Sequence, residues 1–246
     1  MNSVLDLSAP FRAQGDHITV ALDGARALFT TRRGGSSTGP YAALNMGTTT
    51  GPQPPDVVAN RRALEDELGV RMACAHQVHG TRVAVASGSA EASETADGQA
   101  TITPGVAATV MVADCLPIAL AGEGGVAMIH AGWRGLAAGI VAAGVGRLRE
   151  LDVGGPLSAA IGPGAGGCCY EVGDEVRAAF SRHGAAVRHG RNLDLKAIAA
   201  RELEGAGVEV VHDVGLCTLC SDPSLFFSHR RDRGVTGRQA GLAWLA

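Results

Sequence analysis

The sequence predicts an α/β sandwich of the α+β type, with mixed β-sheets and flanking helices. Short apolar runs bounded by Gly or Pro, the mark of buried strands, outnumber stretches with helical spacing. Strand pairs recur without strict strand–helix–strand alternation, which points away from a purely parallel sheet. No linker is long enough to divide the chain, so residues 1–246 read as one domain.

Residues 1–15 form a loose start. His17–Leu22 and Ala25–Thr31 read as strands around Asp23-Gly24, a hairpin signal. Arg32–Pro40 is a polar loop, and a Pro-rich loop runs from Gly51 to Pro55. Asp56 is a candidate N-cap for a helix from Val57 to Leu68, closed by Gly69. Ala73–His79 reads as a strand, with Thr81–Ala86 pairing after the Gly80 turn. Ser87–Thr95 is a surface loop, and Asp97–Thr103 leads into the centre of the chain. There, Val110–Val112, Ile118–Ala121 and Val126–Ala131 run up, down and up again. The turn between the last two lies at Gly122–Gly125, so His130 faces Pro117. Leu136–Leu151 has helical spacing. Leu157–Pro163 is a strand, Gly164–Gly167 a glycine-rich loop, and Gly173–His183 a helix. Asn192 or Asp194 caps a helix through Leu203. Val208–His212 is a strand, Cys217–Asp222 a tight loop, and Phe226–His229 and Gly241–Leu245 are late strands around the polar loop Arg230–Arg238.

Composition narrows the function. A chain of 246 residues hides roughly 70–75% of its unfolded surface. The formal charge of −3, with no Lys/Arg block, argues against a nucleic-acid partner. No apolar run of about 18 residues spans a membrane. The N-terminus lacks the basic and apolar regions of a signal peptide, so a cytoplasmic protein is expected. Its six Cys then read as thiols or ligands rather than disulfides. Nothing sets the oligomeric state beyond a monomer or weak dimer.

The hairpin register brings Cys115 and His130 to one rim, with Asp114 beside them and Arg134 four residues beyond His130. Thiolate plus imidazole suits zinc, whose catalytic sites have three protein ligands and one open position. The third ligand is sought at Gln77-Val78-His79-Gly80. His76 and His79 both lie there, on opposite faces of a strand, and His79, at the strand end, is preferred. These positions match no short ligand motif, so a buried thiol beside an ordinary rim histidine remains open. Asp114 is either a general acid/base or a strand-end carboxylate bonded to turn amides. Arg134 at the start of the helix suits an anion, and Trp133 either walls a base pocket or packs the core. Arg32 and Arg33 read by default as a solvated loop. Cys217-x-x-Cys220 needs a second ligand pair to close a structural zinc site. Cys168-Cys169 is the available pair, but adjacent cysteines make poor paired ligands and buried Cys is common. Gly162–Gly167 lacks the Gly-Lys-Ser/Thr of a Walker A loop.

The chain resembles the YfiH/laccase-domain family, also described as purine nucleoside phosphorylases and carrying a multicopper-oxidase-like label. The likeness runs from Phe29-Thr30-Thr31-Arg32 to Trp244-Leu245. Its pieces are Thr31-Arg32-x-Gly34-Gly35, Leu44-Asn45-Met46-Gly47, Asn60-Arg61, Gln77-Val78-His79-Gly80, Ala113–Pro117, His130–Gly135, Ile161-Gly162-Pro163 with Cys168–Gly173, and Arg230-Arg231-Asp232 with Thr236-Gly237-Arg238. The resemblance implies a zinc held by His79, Cys115 and His130. It also implies phosphorolysis of purine nucleosides (adenosine, inosine, guanosine, methylthioadenosine) and deamination of adenosine. Asp114 and Arg134 are then the candidate catalytic residues, and Arg32, Asn45 and Gln77 the candidate substrate-binding ones. Purine nucleosides and phosphate are the expected partners. Gln53-Pro54-Pro55 replaces an acidic pair common in the family, and Gly164–Gly167 is richer in glycine than usual.

Three rivals stand beside this reading. A copper-dependent polyphenol oxidase is one, although the chain's eight His include no His-x-His pair. A Cys/His hydrolase or deamidase with Cys115 as nucleophile and His130 as base is another. The third is a partner-binding protein without catalysis.

Overall fold

A computed structural model describes residues 7–47, 54–88 and 94–246. Its strands, in chain order, are β1 (Arg12–Gln14), β2 (His17–Leu22), β3 (Ala25–Phe29), β4 (Arg71–Ala73), β5 (Val83–Val85), β6 (Gly98–Thr101), β7 (Val106–Val112), β8 (Leu116–Glu123), β9 (Gly125–Ala131), β10 (Gly154–Ile161), β11 (Arg188–His189), β12 (Asn192–Leu193), β13 (Val208–Asp213) and β14 (Gln239–Leu245). The helices are α1 (Pro55–Leu68), α2 (Trp133–Ala138), α3 (Ile140–Glu150), α4 (Asp174–Ala179) and α5 (Leu195–Gly205).

Two six-stranded sheets carry the fold, ordered β1-β2-β3-β14-β7-β4 and β13-β10-β8-β9-β6-β5. Both are mixed: β4 runs parallel to β7, β5 to β6 and β13 to β10, against antiparallel neighbours elsewhere. Alternation along β8 and β9 builds the layers. Ile118, Leu120 and Ile129 point to a core shared with Leu136, Ile140, Leu148 and Ile198 of the helices. Ala119, Ala121 and Met128 point the other way, onto Val20, Phe29, Val110 and Ala243 of the facing sheet. A third core places Leu64 of α1 against Leu28, Met72 and Leu242. The result is an α+β sandwich of four layers: α1, two sheets, then α3 with α5. The sheets approach closely where β14 passes β8, because a Cβ on Gly241 would stand 2.7 Å from the Pro117 Cβ.

The central hairpin has the predicted register, with Pro117 opposite His130 and Gly122 opposite Gly125. Its third run does not pair with the other two, since β7 belongs to the opposite sheet. Asp194, rather than Asn192, caps α5 by accepting from the Ala197 amide at 3.0 Å. Asp56 does not cap α1. Pro54 holds that position, and Asp56 sits inside the first turn. The predicted Leu136–Leu151 helix starts earlier, at Trp133, and breaks at Gly139, whose φ of 98° suits glycine. The Gly173–His183 helix is shorter, and Phe226–His229 is not a strand. β5 pairs with β6 in the second sheet and so does not continue the pairing of β4. Residues 1–6, the Gly51–Gln53 part of the Pro-rich loop and 89–93 of the surface loop lie outside the described residues. Among those described, no helix is long and apolar enough to cross a membrane.

Candidate metal centre

The turn between β7 and β8 crosses from one sheet to the other, and two of its three residues, Asp114 and Cys115, carry reactive groups. Asp114 takes a φ of 86°, which lets the chain reverse and leaves Cys115 half-buried at the rim, two residues from the Pro117–His130 pair. His130 is buried on β9. The third group arrives on a loop. The predicted Ala73–His79 strand ends at Ala73, His76 makes only an isolated bridge to Thr95, and His79 has a φ of 61°. The ligand atoms of His79, Cys115 and His130 lie within 4.8 Å of one another. Cys115 Sγ is 3.8 Å from His79 Nε2, and the two imidazole rings meet edge to face with centroids 4.8 Å apart. His76 is not part of this group.

Two features fit this donor set to a metal. Gly132 has no side chain where a Cβ would come within 2.9 Å of both Cys115 Sγ and His79 Cδ2, so the space beside the donors stays open. Asp97, fully buried, organises the trio. Its Oδ1 pairs with His130 Nδ1 at 2.8 Å, and it accepts from the amides of Val78 (3.1 Å), His79 (2.8 Å) and Gly80 (2.7 Å). One carboxylate thus orients one ring and shapes the loop that carries the other. With Nδ1 engaged, Nε2 is the His130 nitrogen free to ligate, the arrangement in which outer carboxylates orient metal-binding imidazoles. Burial alone would raise the Cys115 thiol. The His130 charge and hydrogen bonds to both imidazoles outweigh burial and hold the thiol well below its ordinary range. His130 is raised in turn: burial opposes it, but Cys115 and Asp97 prevail.

The trio lines a cavity of about 650 Å³, within the range of small-molecule sites. Arg61, Arg134, Arg230 and Arg238 line it too, against Asp114 as the lining carboxylate. Arg134 is exposed and stacks on the Trp133 ring at 4.2 Å. Arg230 lies over the Tyr170 ring at 4.6 Å. Arg238 is anchored by the carbonyls of Thr236 and Gly237 at 3.2 and 2.9 Å. Both Asp114 carboxylate oxygens are engaged, Oδ1 by the Thr218 hydroxyl at 2.6 Å and Oδ2 by the Arg230 amide at 2.8 Å. Gln77 lines the cavity while its side-chain amide exchanges two hydrogen bonds with the Met111 backbone, at 2.9 and 2.8 Å.

Arg32 and Asn45 are placed differently from the expected substrate-binding role, and neither is among the residues lining the cavity. Arg32 ties the Ala42 and Pro223 carbonyls together and lies over Phe227 at 4.4 Å. Asn45 is buried, accepting from the amides of Gly47 and Arg238. Sequence reasoning missed Asp97, Tyr170 and the arginines 61, 230 and 238. Asp97 stands among small and polar residues (Ala96, Gly98, Gln99), so nothing local marked it as a buried, partnered acid. The arginines sat in quoted motifs but carried no spacing that tied them to the trio.

Comparison with known proteins follows the same lines. A family model described as multi-copper polyphenol oxidoreductase laccase matches residues 26–246. A Pseudomonas aeruginosa protein named as a purine nucleoside phosphorylase is 42% identical, over 89% of this chain and 93% of its own. The purine nucleoside phosphorylase YfiH of Escherichia coli is 38% identical, over 90% and 94%. The crystal structure of the Bacillus licheniformis hypothetical protein YfiH superposes with a TM-score of 0.88 at 31% identity, covering 97% of this chain and 100% of that one. That of YlmD from Geobacillus stearothermophilus gives 0.86 at 34%, covering 96% and 98%.

Proposed function

The chain belongs to the family described as multi-copper polyphenol oxidoreductase laccase, and from that membership we propose that it is a purine nucleoside phosphorylase with zinc held by His79, Cys115 and His130. The observation that carries the reading is the convergence of three donors, within 4.8 Å of one another, in a cavity lined by arginines. Relatives covering most of both chains bear the same activity in their names. Zinc held by these three side chains would supply a Lewis acid.

In phosphorolysis a phosphate oxygen bonds to C1′ of the ribose as the bond from C1′ to the purine nitrogen breaks, and the base takes up a proton. We assign the phosphate dianion to Arg134, Arg230 and Arg238, which line the cavity, Arg134 with its guanidinium stacked on Trp133. Trp133 and Tyr170 supply aromatic walls for the base. Asp114 is the carboxylate beside the trio and serves as general acid/base. Arg32 and Asn45 hold the loops that frame the cavity, and Gln77 fixes the His79 loop to β7. We assign adenosine deamination to the same centre. Adenosine, inosine, guanosine and methylthioadenosine form the substrate set, in a cytoplasmic monomer or weak dimer without nucleic-acid or membrane partners.

A second reading has its own support. The lowered Cys115 thiol beside His130, with Asp97 behind the imidazole, is also the arrangement of a cysteine nucleophile and base. His79 favours the metal, since a hydrolase has no use for a second imidazole on the thiol. Copper oxidation is disfavoured: apart from the trio, the one other group of potential ligands among the described residues is made of cysteines.

The test is metal content with product analysis. Adenosine plus phosphate should yield adenine and ribose 1-phosphate, and adenosine alone should yield inosine. Cys115→Ala should lose one zinc per chain and both products. Full activity in a Cys115→Ala protein shown to lack that zinc overturns the reading, and turnover by metal-free wild type with Cys115 trapped by an alkylating analogue selects the hydrolase.

A further inference from the structure

Four of the six cysteines are not among the residues lining the cavity of that centre. They meet where the loop after β10 touches the loop after β13. The sulfurs of Cys168, Cys169, Cys217 and Cys220 all lie within 4.8 Å of one another, and those of Cys168 and Cys220 are 3.6 Å apart. Disulfide sulfurs stand about 2.05 Å apart. Four thiolates at about 2.3 Å from a tetrahedral zinc stand about 3.8 Å from one another. The observed spacing is that of a shared ligand set.

Backbone geometry explains how vicinal cysteines converge. On a strand Cys168 and Cys169 would point to opposite faces. Here they sit in a turn, with the Cys169 and Tyr170 amides both donating to the Gly166 carbonyl at 3.0 and 2.9 Å. The second loop closes likewise, the Ser221 amide donating to the Cys217 carbonyl at 3.0 Å. The loops are stitched together by the Gly164–Cys217 bridge and the Thr218 amide on the Gly164 carbonyl at 3.0 Å. The amides of Gly166, Cys220 and Leu219 all hydrogen-bond to the Cys217 sulfur, Gly166 at 3.3 Å. Several N–H donors on one sulfur suit a ligand that carries negative charge. Cys217 is buried while Cys168 and Cys220 reach solvent, which leaves an entry path for an ion.

We propose that Cys168, Cys169, Cys217 and Cys220 form a second metal site, a closed four-cysteine zinc site that pins these two loops. All four positions are filled by protein, so its task is structural. The same loops reach the cavity: Tyr170 lines it beneath Arg230, and Thr218 donates to Asp114. The site is independent of the proposed reaction.

The experiment separates the two sites. In a His79→Ala, Cys115→Ala protein, purified under reducing conditions without chelator, one zinc per chain is expected to remain. Cobalt exchange should then give the intense visible bands and sulfur-to-metal charge transfer of a four-thiolate tetrahedral ion. Adding Cys217→Ser and Cys220→Ser should remove both metal and bands. Cobalt-loaded wild type provides a second measurement that does not depend on the fold of the multiple variant, and four-thiolate bands are expected there too. A folded His79→Ala, Cys115→Ala protein with no metal, cobalt spectra without four-thiolate bands, or a Cys168–Cys220 disulfide under reducing conditions overturns the proposal.

Discussion

Asp97 and His130 are joined side chain to side chain, Oδ1 to Nδ1 at 2.8 Å, with the carboxylate fully buried and three loop amides on the same two oxygens. The trio of His79, Cys115 and His130 is therefore held from behind by one acid. Asp97→Asn keeps the size of the side chain but removes the charge that fixes the His130 ring. Partners of this kind are worth about 10- to 100-fold in metal affinity. Competition against a chelator should show a loss of that size, with secondary structure unchanged. Unaltered affinity would place the orientation of His130 elsewhere.

The same carboxylate makes stability depend on acid. Burial would raise the Asp97 pKa, but the hydrogen bonds from His130, Gly80 and Val78 outweigh it and leave the pKa lowered. A lowered acid stabilises the fold while it is ionised. Its contribution is complete above the unfolded value of about 3.9 and is lost as pH falls through the lower folded value. Below about pH 4 the urea midpoint of metal-free wild type should fall more steeply than that of metal-free Asp97→Asn. Parallel curves would remove Asp97 from this role.

Legibility in the sequence followed the range of the interactions. The β8–β9 hairpin was readable because turn glycines and apolar runs agree, and Pro117 faces His130 accordingly. The Cys115/His130 rim follows from that register. The Gln77–His79 stretch misled because it imitates a strand: Gln77 pairs with the Met111 backbone through its side chain, while the main chain has already left the sheet. The up-down-up order of the three central runs did not say which of them pair, because an apolar run buried on both faces carries no record of its neighbours, and β7 lies in the sheet opposite β8 and β9. Asp97 and Arg238 were hidden because their partners lie far along the chain, at 130 and 45. Cys168-Cys169 was discounted because adjacent cysteines make poor paired ligands and buried Cys is common; the turn that brings both sulfurs within 4.8 Å of Cys217 and Cys220 is not legible in that spacing.

Two glycines distinguish damage to the centre from damage to the fold. A Cβ at residue 132 would stand 2.9 Å from Cys115 Sγ and His79 Cδ2. Gly132→Ala should displace the donors and lose the metal of this centre, with a small change in melting temperature, because Gly132 has an ordinary φ of −74°. A Cβ at residue 241 would press on Pro117 and Met128 between the sheets. Gly241→Ala should cost about 1–3 kcal/mol as overpacking while metal content at the permissive temperature is kept. Calorimetry with metal analysis on both proteins checks the contrast, and equal metal loss in the two would show that donor spacing is not what Gly132 protects.

The arginines divide by what already holds them. Arg32 spends its guanidinium on the Ala42 and Pro223 carbonyls, away from the cavity. Arg134 lines the cavity, and its contact is the face of Trp133, so its donors are available to an anion. A charge-assisted hydrogen bond is worth about 1.5–3 kcal/mol, and 1.4 kcal/mol is tenfold in affinity. Arg134→Ala should therefore raise the KM for phosphate at least about tenfold, with a smaller effect on the KM for the nucleoside and on melting temperature. Arg32→Ala should do the reverse, lowering the melting temperature and leaving the phosphate KM within about twofold. Initial rates at varied phosphate and fixed nucleoside measure both. If Arg32 instead controls the phosphate KM, the anion enters along the Arg32 loop, and the arginines of the cavity serve the base and ribose.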